Sequence, residues 1–296
     1  MALETTAIGP AQFFECNDKV RLKYTDVGPR TAPALVLLHG WSANGNWFAR
    51  NVPELAKELR VITVDHRGMG DSDKPGHGHR VCRLSADVRD LLVHLEGTAA
   101  LSQKVVLCGC SLGFTIICLY LELFGDAKIA GVAFVDQSAA MYSRPGWITG
   151  APELAAPAMV ADLAACLNFD FDNLADGIIS GGFGDVAPTE AERAFFKPQV
   201  LKCDPHFLGK LMEDHANLDV RDYLPAIELP ALNFIGGATK CHHIAGIAHI
   251  GDSIPKGRNV RFDGAGHFLY FEQASRFNAE LGAFVIECSA MRSAMQ

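Results

Sequence analysis

Residues 104–122, KVVLCGCSLGFTIICLYLE, leave this chain little choice of fold. Val105, Val106, Leu107 and Cys108 make a short, β-leaning apolar run of the kind that becomes a buried strand. Residues 114–123 stay apolar for too long to be one strand and read as a buried helix. Between them lies Gly109-Cys110-Ser111-Leu112-Gly113, a G-x-S-x-G sequence. A chain that turns from strand to helix within a residue or two forces its middle residue into a strained backbone conformation. Glycines are needed two places to either side, because a side chain there would collide with the adjoining strand or helix. Ser111 is thereby held proud of the sheet at a helix N-terminus, where amide N–H groups favour negative charge. Cys110 is not at the middle of the turn and reads as packing.

With 296 residues, 49% of them apolar and 20% charged, the chain can bury one large α/β core, with or without an inserted cap. A net charge of −8 and the lack of any Lys/Arg-rich run argue against a nucleic-acid partner. The first residues, MALETTAIGPAQFFE, have no basic start followed by an apolar core, and no 18-residue apolar stretch occurs. No secretory leader or membrane span is therefore expected. Nine cysteines, an odd number scattered singly, fit buried reduced thiols in a cytoplasmic protein better than a disulfide framework.

Around the serine turn the chain alternates. Residues 12–16 and 20–26 are β-leaning and separated by Asn17-Asp18, a hairpin turn signal. Continuous apolar runs at 35–38, 61–64 and 129–135 read as strands covered on both faces. Residues 47–59 and 84–95 carry helical apolar spacing and are read as helices. Strand and helix in alternation predict a mostly parallel, doubly wound sheet of about eight strands.

Four sequences then carry a family resemblance: His39-Gly40-Trp41, the loop DHRGMGDSDKP at 65–75, GCSLG at 109–113, and DGAGHFLYFE at 263–272 before a terminal amphipathic helix at 275–286. In this order, across residues 12–288, they resemble the α/β-hydrolase fold, most nearly its non-haem haloperoxidase and esterase or lactonase branch. The resemblance implies a core of residues 1–137 and 222–296 with a helical cap, residues 138–221, inserted after the sixth strand. Phe114 departs from the pattern, standing where many relatives have a third glycine, and is expected to narrow the space beside the turn.

The resemblance makes His267 the base for Ser111, since a hydroxyl is a poor nucleophile until a neighbouring imidazole takes its proton. The acid is less regular. Most relatives place it after the strand preceding the histidine strand, but here residues 236–243, GGATKCHH, contain no carboxylate. One strand earlier, Asp136 closes an apolar run, the position used by some mycotoxin lactonases and pancreatic lipases. Asp136 is thus the expected acid, with Asp214 or Asp219 of the cap as alternatives. The Leu112 amide, and by resemblance the Trp41 amide, would hold an oxyanion, and Ser42 could add its hydroxyl. His39, Asp65, Arg67 and Asp71 read as loop-fixing residues. Cys241, His242, His243 and His249 read as a surface cluster near the rim, and no metal is called for.

Tyr142, Trp147, Phe183, Phe195, Phe196 and Met212 are the cap residues expected to line a pocket for a medium-sized apolar substrate. The expected activity is cofactor-free hydrolysis of a carboxylic ester or lactone through an acyl-enzyme, the partner being a small molecule. A homodimer is left open. Carbon–carbon bond hydrolysis or lyase chemistry, or a ligand receptor on the same fold, remain alternatives. Asp is absent from the nucleophile position, which disfavours epoxide hydrolysis and dehalogenation.

Overall fold

The structure, a computed structural model, describes residues 8–98, 101, 103–152 and 155–293. Its strands are β1 (Gln12–Glu15), β2 (Arg21–Val27), β3 (Ala34–Leu38), β4 (Arg60–Val64), β5 (Val105–Cys110), β6 (Ile129–Val135), β7 (Ala231–Gly236) and β8 (Gly257–Phe262). They make one sheet in the order β1-β2-β4-β3-β5-β6-β7-β8. β1 and β2 form an antiparallel hairpin, β2 runs antiparallel to β4, and every later pairing is parallel. β5, which delivers Ser111, therefore lies inside the sheet with a strand on each side.

Alternation along the buried strands divides the core in two. Val36, Leu38, Leu107, Val132 and Phe134 point to one face and meet α2 (Val81–Thr98) and α3 (Leu112–Phe124). Leu35, Leu37, Val106, Cys108 and Val135 point to the other and meet α1 (Val52–Leu55) and the terminal helix α10 (Ala274–Ser293). Cys108 and Cys118 are buried among these apolar side chains, where burial pushes both thiols up. Among the described residues, no helix is long and apolar enough to cross a membrane.

Between β6 and β7 the chain inserts four helices: α4 (Pro157–Phe169), α5 (Phe171–Gly182), α6 (Glu190–Val200) and α7 (Pro205–Asn217). α6 begins with a full capping box, Thr189 and Glu192 bonding each other's backbone amides. α8 (Ile244–Ser253) and the short α9 (Leu269–Glu272) complete the chain.

Two expectations need correction. The helix expected over residues 47–59 is a 3-10 turn, Gly45–Phe48, followed by the single turn of α1. Pro53 cannot donate a backbone hydrogen bond there. Asn51 also anchors the junction, its amide nitrogen donating to the Tyr270 carbonyl and to Asn278 Oδ1, both at 2.8 Å. α5, conversely, forms over residues for which the sequence pattern predicts no helix. Glycines weaken its intrinsic helix preference, yet Gly182 is required: a Cβ there would fall 2.1 Å from the Phe268 ring.

The serine turn is packed tightly, backbone against backbone. A Cβ on Gly109 would lie 2.3 Å from the Gly113 carbonyl carbon, and one on Gly113 would lie 2.7 Å from the Leu38 carbonyl oxygen. Both obstacles are backbone. Gly109→Ala is therefore expected to lower stability by about 3 kcal/mol or more, whereas Gly177→Ala, whose Cβ meets nothing within 4 Å in α5, should raise it by about 0.5–1 kcal/mol. Urea unfolding of the two variants checks this; equal effects would contradict it.

Candidate active site

Ser111 sits between β5 and α3 with φ 53° and ψ −117°, so the turn carries the backbone strain expected of it. The non-glycine residues with positive φ among those described are Lys19, Ser42, Ser111 and Asp136. The last three gather at one end of the sheet, and Ser42 and Ser111 line one cavity of about 480 Å³. Cys110 also borders this cavity, but burial pushes its thiol well up, which keeps it protonated.

Asp136 follows β6 immediately, and its side chain is buried. Its Oδ1 accepts the Gly236 amide at 2.8 Å; its Oδ2 accepts the Thr239 hydroxyl and meets His267 Nδ1, each at 2.7 Å. The pairing of an acid after β6 with the histidine after β8 is thus present. The other two carboxylates weighed for this role are engaged elsewhere. Asp214 accepts the Val81 amide, and Asp219 pairs with Arg221 and Arg144.

His267 borders the same cavity as Ser111. The serine hydroxyl, however, donates to Gln137 Oε1 at 3.3 Å, and no hydrogen bond to His267 occurs. Gln137 is buried and its amide orientation is set, because Nε2 donates to the Ser138 carbonyl at 3.1 Å. The face turned to Ser111 is therefore an acceptor only.

Gly40 brings the loop after β3 against the serine: a Cβ there would stand 3.1 Å from Ser111 Cβ and 3.7 Å from Oγ. Trp41 follows, its indole donating to the Leu208 carbonyl of α7 at 2.9 Å. No described residue accepts the Leu112 amide, the first of α3, or the Trp41 amide. The loops behind hold themselves with paired polar groups. His39 Nδ1 meets the Gly40 carbonyl and Nε2 accepts the His66 amide, which fixes a neutral tautomer. Asp65 accepts the Gly45 and Asp71 amides, and Arg67, fully buried, grips Asp87 and Asp18.

Glu272 and Thr239 were not singled out by sequence reasoning. Glu272 Oε1 accepts the Gly266 amide at 2.8 Å and Oε2 the Gly184 amide at 2.9 Å, clamping the histidine loop to the helical insertion. Burial pushes this carboxyl above the ordinary glutamate range. Lys240 reinforces the join by donating to the Phe183 and Gly184 carbonyls.

Among the expected substrate-contacting residues, Ser42 and Met212 line the cavity, as does Trp41, while Tyr142, Trp147, Phe183, Phe195 and Phe196 do not. Trp147 lies outside, donating to the Ala140 carbonyl and stacking edge-on against His249. Phe183 packs edge-to-face with Phe268 and Phe196 with Phe271, while Phe195 stacks on Phe271, together making the insertion's seal against the core. Tyr142 joins Met141 and Val160 in a small cluster. The share of the wall from α4 and α5 is instead aliphatic, with Met159, Leu163, Leu174 and Ile178, while Trp41, Trp47, Phe268 and Tyr270 of the core supply the aromatic part. Phe114 does not narrow the cavity; it turns into the core against Phe134. His242 is not at the surface but buried and lining the cavity, whereas His243 is exposed.

A family model described as alpha/beta hydrolase fold matches residues 33–274. The chain is 27% identical over 265 residues to the 3-oxoadipate enol-lactonase 1 of Acinetobacter baylyi, covering 87% of this chain and 90% of that one. It is 22% identical to a non-heme haloperoxidase of Rhodococcus erythropolis over 92% and 98% of the two chains. An esterase from Exiguobacterium antarcticum superimposes with a TM-score of 0.86 at 23% identity, over 93% of this chain and 99% of that one, a likeness of fold.

The buried His39 ring gives the site a pH limit. Burial lowers its pKa to about 3, while the unfolded chain takes up the proton near the ordinary value of 6.5. Between those values the unfolded state binds more protons, so stability present above pH 6.5 is lost as pH falls. The stability advantage of wild type over His39→Gln should shrink by about 2 kcal/mol between pH 7 and pH 5. Chemical denaturation at both pH values checks this, and an unchanged advantage would refute the assignment.

Proposed function

The chain belongs to the α/β-hydrolase fold family, and from that premise we propose that it is a serine hydrolase of carboxylic esters or lactones. The observation that carries the reading is the meeting of a strained Ser111 and an Asp136–His267 pair, 2.7 Å apart, beside one apolar cavity. Esterases and an enol-lactonase stand among the similar proteins. The helices of residues 157–217 act as the cap, since α4, α5 and α7 supply the aliphatic wall that excludes water.

In the reaction, rotation about the Ser111 Cα–Cβ bond carries the hydroxyl from Gln137 toward His267 Nε2. Ser111 Oγ then bonds the substrate carbonyl carbon while the imidazole takes its proton. The negative oxygen formed is held by the Leu112 and Trp41 amides, both without another acceptor. Collapse breaks the carbon–oxygen bond of the ester, and His267 returns the proton to the departing alkoxide. Water, deprotonated by the same imidazole, then frees the acid and the serine. Asp136 orients the ring through Nδ1 and steadies its charged form. In a lactone the released hydroxyl stays tethered to the acyl group.

Ser111→Ala should lower turnover of p-nitrophenyl butyrate by several orders of magnitude with unchanged folding, because the three residues act as a unit. A fluorophosphonate should label Ser111, as read by peptide mass spectrometry; labelling elsewhere, or a soluble variant with near-native rate, ends the assignment. Asp136→Asn should reduce kcat by up to roughly 10⁴-fold, and a loss below about tenfold would take the acid's role from it.

A further inference from the structure

Buried polar atoms normally find partners, so the exceptions point to something absent. Among the described residues the buried side-chain polar atoms without one are Ser42 Oγ, Trp47 Nε1, Asn51 Oδ1, Arg60 Nη1, Gln199 Oε1, His215 Nδ1, Asn233 Oδ1 and His242 Nδ1. Four of these belong to residues that line the cavity: Ser42, Trp47, His215 and His242. Ser42 and Trp47 come from the loop beside Ser111. The two imidazoles do not: His215 comes from α7 of the insertion, and His242 from the loop after β7.

The two rings share an environment. Each is almost wholly buried, at 3% and 6% exposure. The His242 and His267 ring centres are 5.7 Å apart, so this polar spot adjoins the reacting end of the cavity. Burial holds the His215 ring down to about pKa 4 and His242 well below its ordinary value, with His267, His215 and His243 adding like charge around His242. Both rings are therefore neutral at pH 7, each with one N–H and one lone pair. At Nδ1 a proton would be a buried donor with no acceptor, the costlier arrangement. The proton therefore belongs on Nε2, which is not among the sealed atoms and is left open on a residue that lines the cavity. Among the described residues, no lysine or arginine lines the cavity to neutralise an anion.

We propose that His215 and His242 form a polar subsite that receives an uncharged oxygen, a keto or hydroxyl group, carried by the substrate a few bonds from the scissile carbonyl. This rests on the hydrolase reading and narrows it: the substrate is an oxygen-bearing ester or lactone, not a plain alkyl one. The bound oxygen supplies the acceptor that the two Nε2–H groups lack, in a cavity whose other walls are mostly apolar. A site built to hydrogen-bond a substrate oxygen discriminates strongly against the analogue that lacks it.

The test uses p-nitrophenyl pentanoate, p-nitrophenyl 4-oxopentanoate and the mono-p-nitrophenyl ester of glutaric acid, and an alcohol-side pair, butyl and 3-oxobutyl acetate. All rates are corrected for spontaneous hydrolysis. Wild type should prefer the oxo member of at least one pair in kcat/KM by about tenfold or more. The preference should fall toward one in His215→Leu and in His242→Leu, while thermal melts show each variant folded. His215→Leu, farther from His267 along the chain and on another element, carries the test if His242→Leu does not fold. A preference for the methylene member in both pairs, an oxo preference equal in wild type and variants, or a carboxylate ester turned over best would overturn the subsite. Should wild type turn over no ester faster than Ser111→Ala, the hydrolase reading itself fails. The subsite is then judged by thermal stabilisation of Ser111→Ala, where the oxo ester must stabilise more than its match.

Discussion

Two backbones pressed together at Gly109 and Gly113 set the geometry of everything around them. Because α3 starts so close to β5 and β3, no relaxed turn fits, and Ser111 is left at φ 53°. The strain is sustained by a sheet interior that has no room to yield: β3 and β6 flank β5, and apolar side chains fill both faces. That rigidity also holds the Gly40 backbone close against Ser111.

The placement of Asp136 after β6 has effects beyond its contact with His267. Asp136 is held at φ 49° by bonds from Gly236 and Thr239, so the loop after β7 supports a carboxylate instead of supplying one. Relieved of that duty, the same loop sends Lys240 to the insertion and His242 to the cavity. Gln137, the next residue after Asp136, accepts the Ser111 hydroxyl. One short segment, Val135 to Ser138, thus touches Ser111, His267 and the cavity wall.

What the sequence displayed, and what it concealed, follows from the range of the interactions. The serine turn is written in five consecutive residues because its sterics are local, and the empty carboxylate position after β7 left Asp136 as the plain candidate. Thr239, Glu272 and Gln137 were invisible because their importance lies in partners reached across the fold: Thr239 bonds a residue 103 positions away and Glu272 one 88 away. The aromatic residues of the insertion were misjudged for a physical reason. A helical insertion needs a core of its own, and Phe183, Phe195 and Phe196 pack on Phe268 and Phe271 to make it, so the apolar residues the insertion lends to the cavity are methionine, leucine and isoleucine. His242 was misread because adjacent histidines suggest a common setting, whereas in an extended loop neighbours face opposite ways, and only His243 faces water.

The carboxylate of Glu272 makes one end of the helical insertion and the loop bearing His267 mechanically continuous, since a single side chain grips amides of both. Any displacement of that end of the insertion would therefore be transmitted to the loop that carries His267.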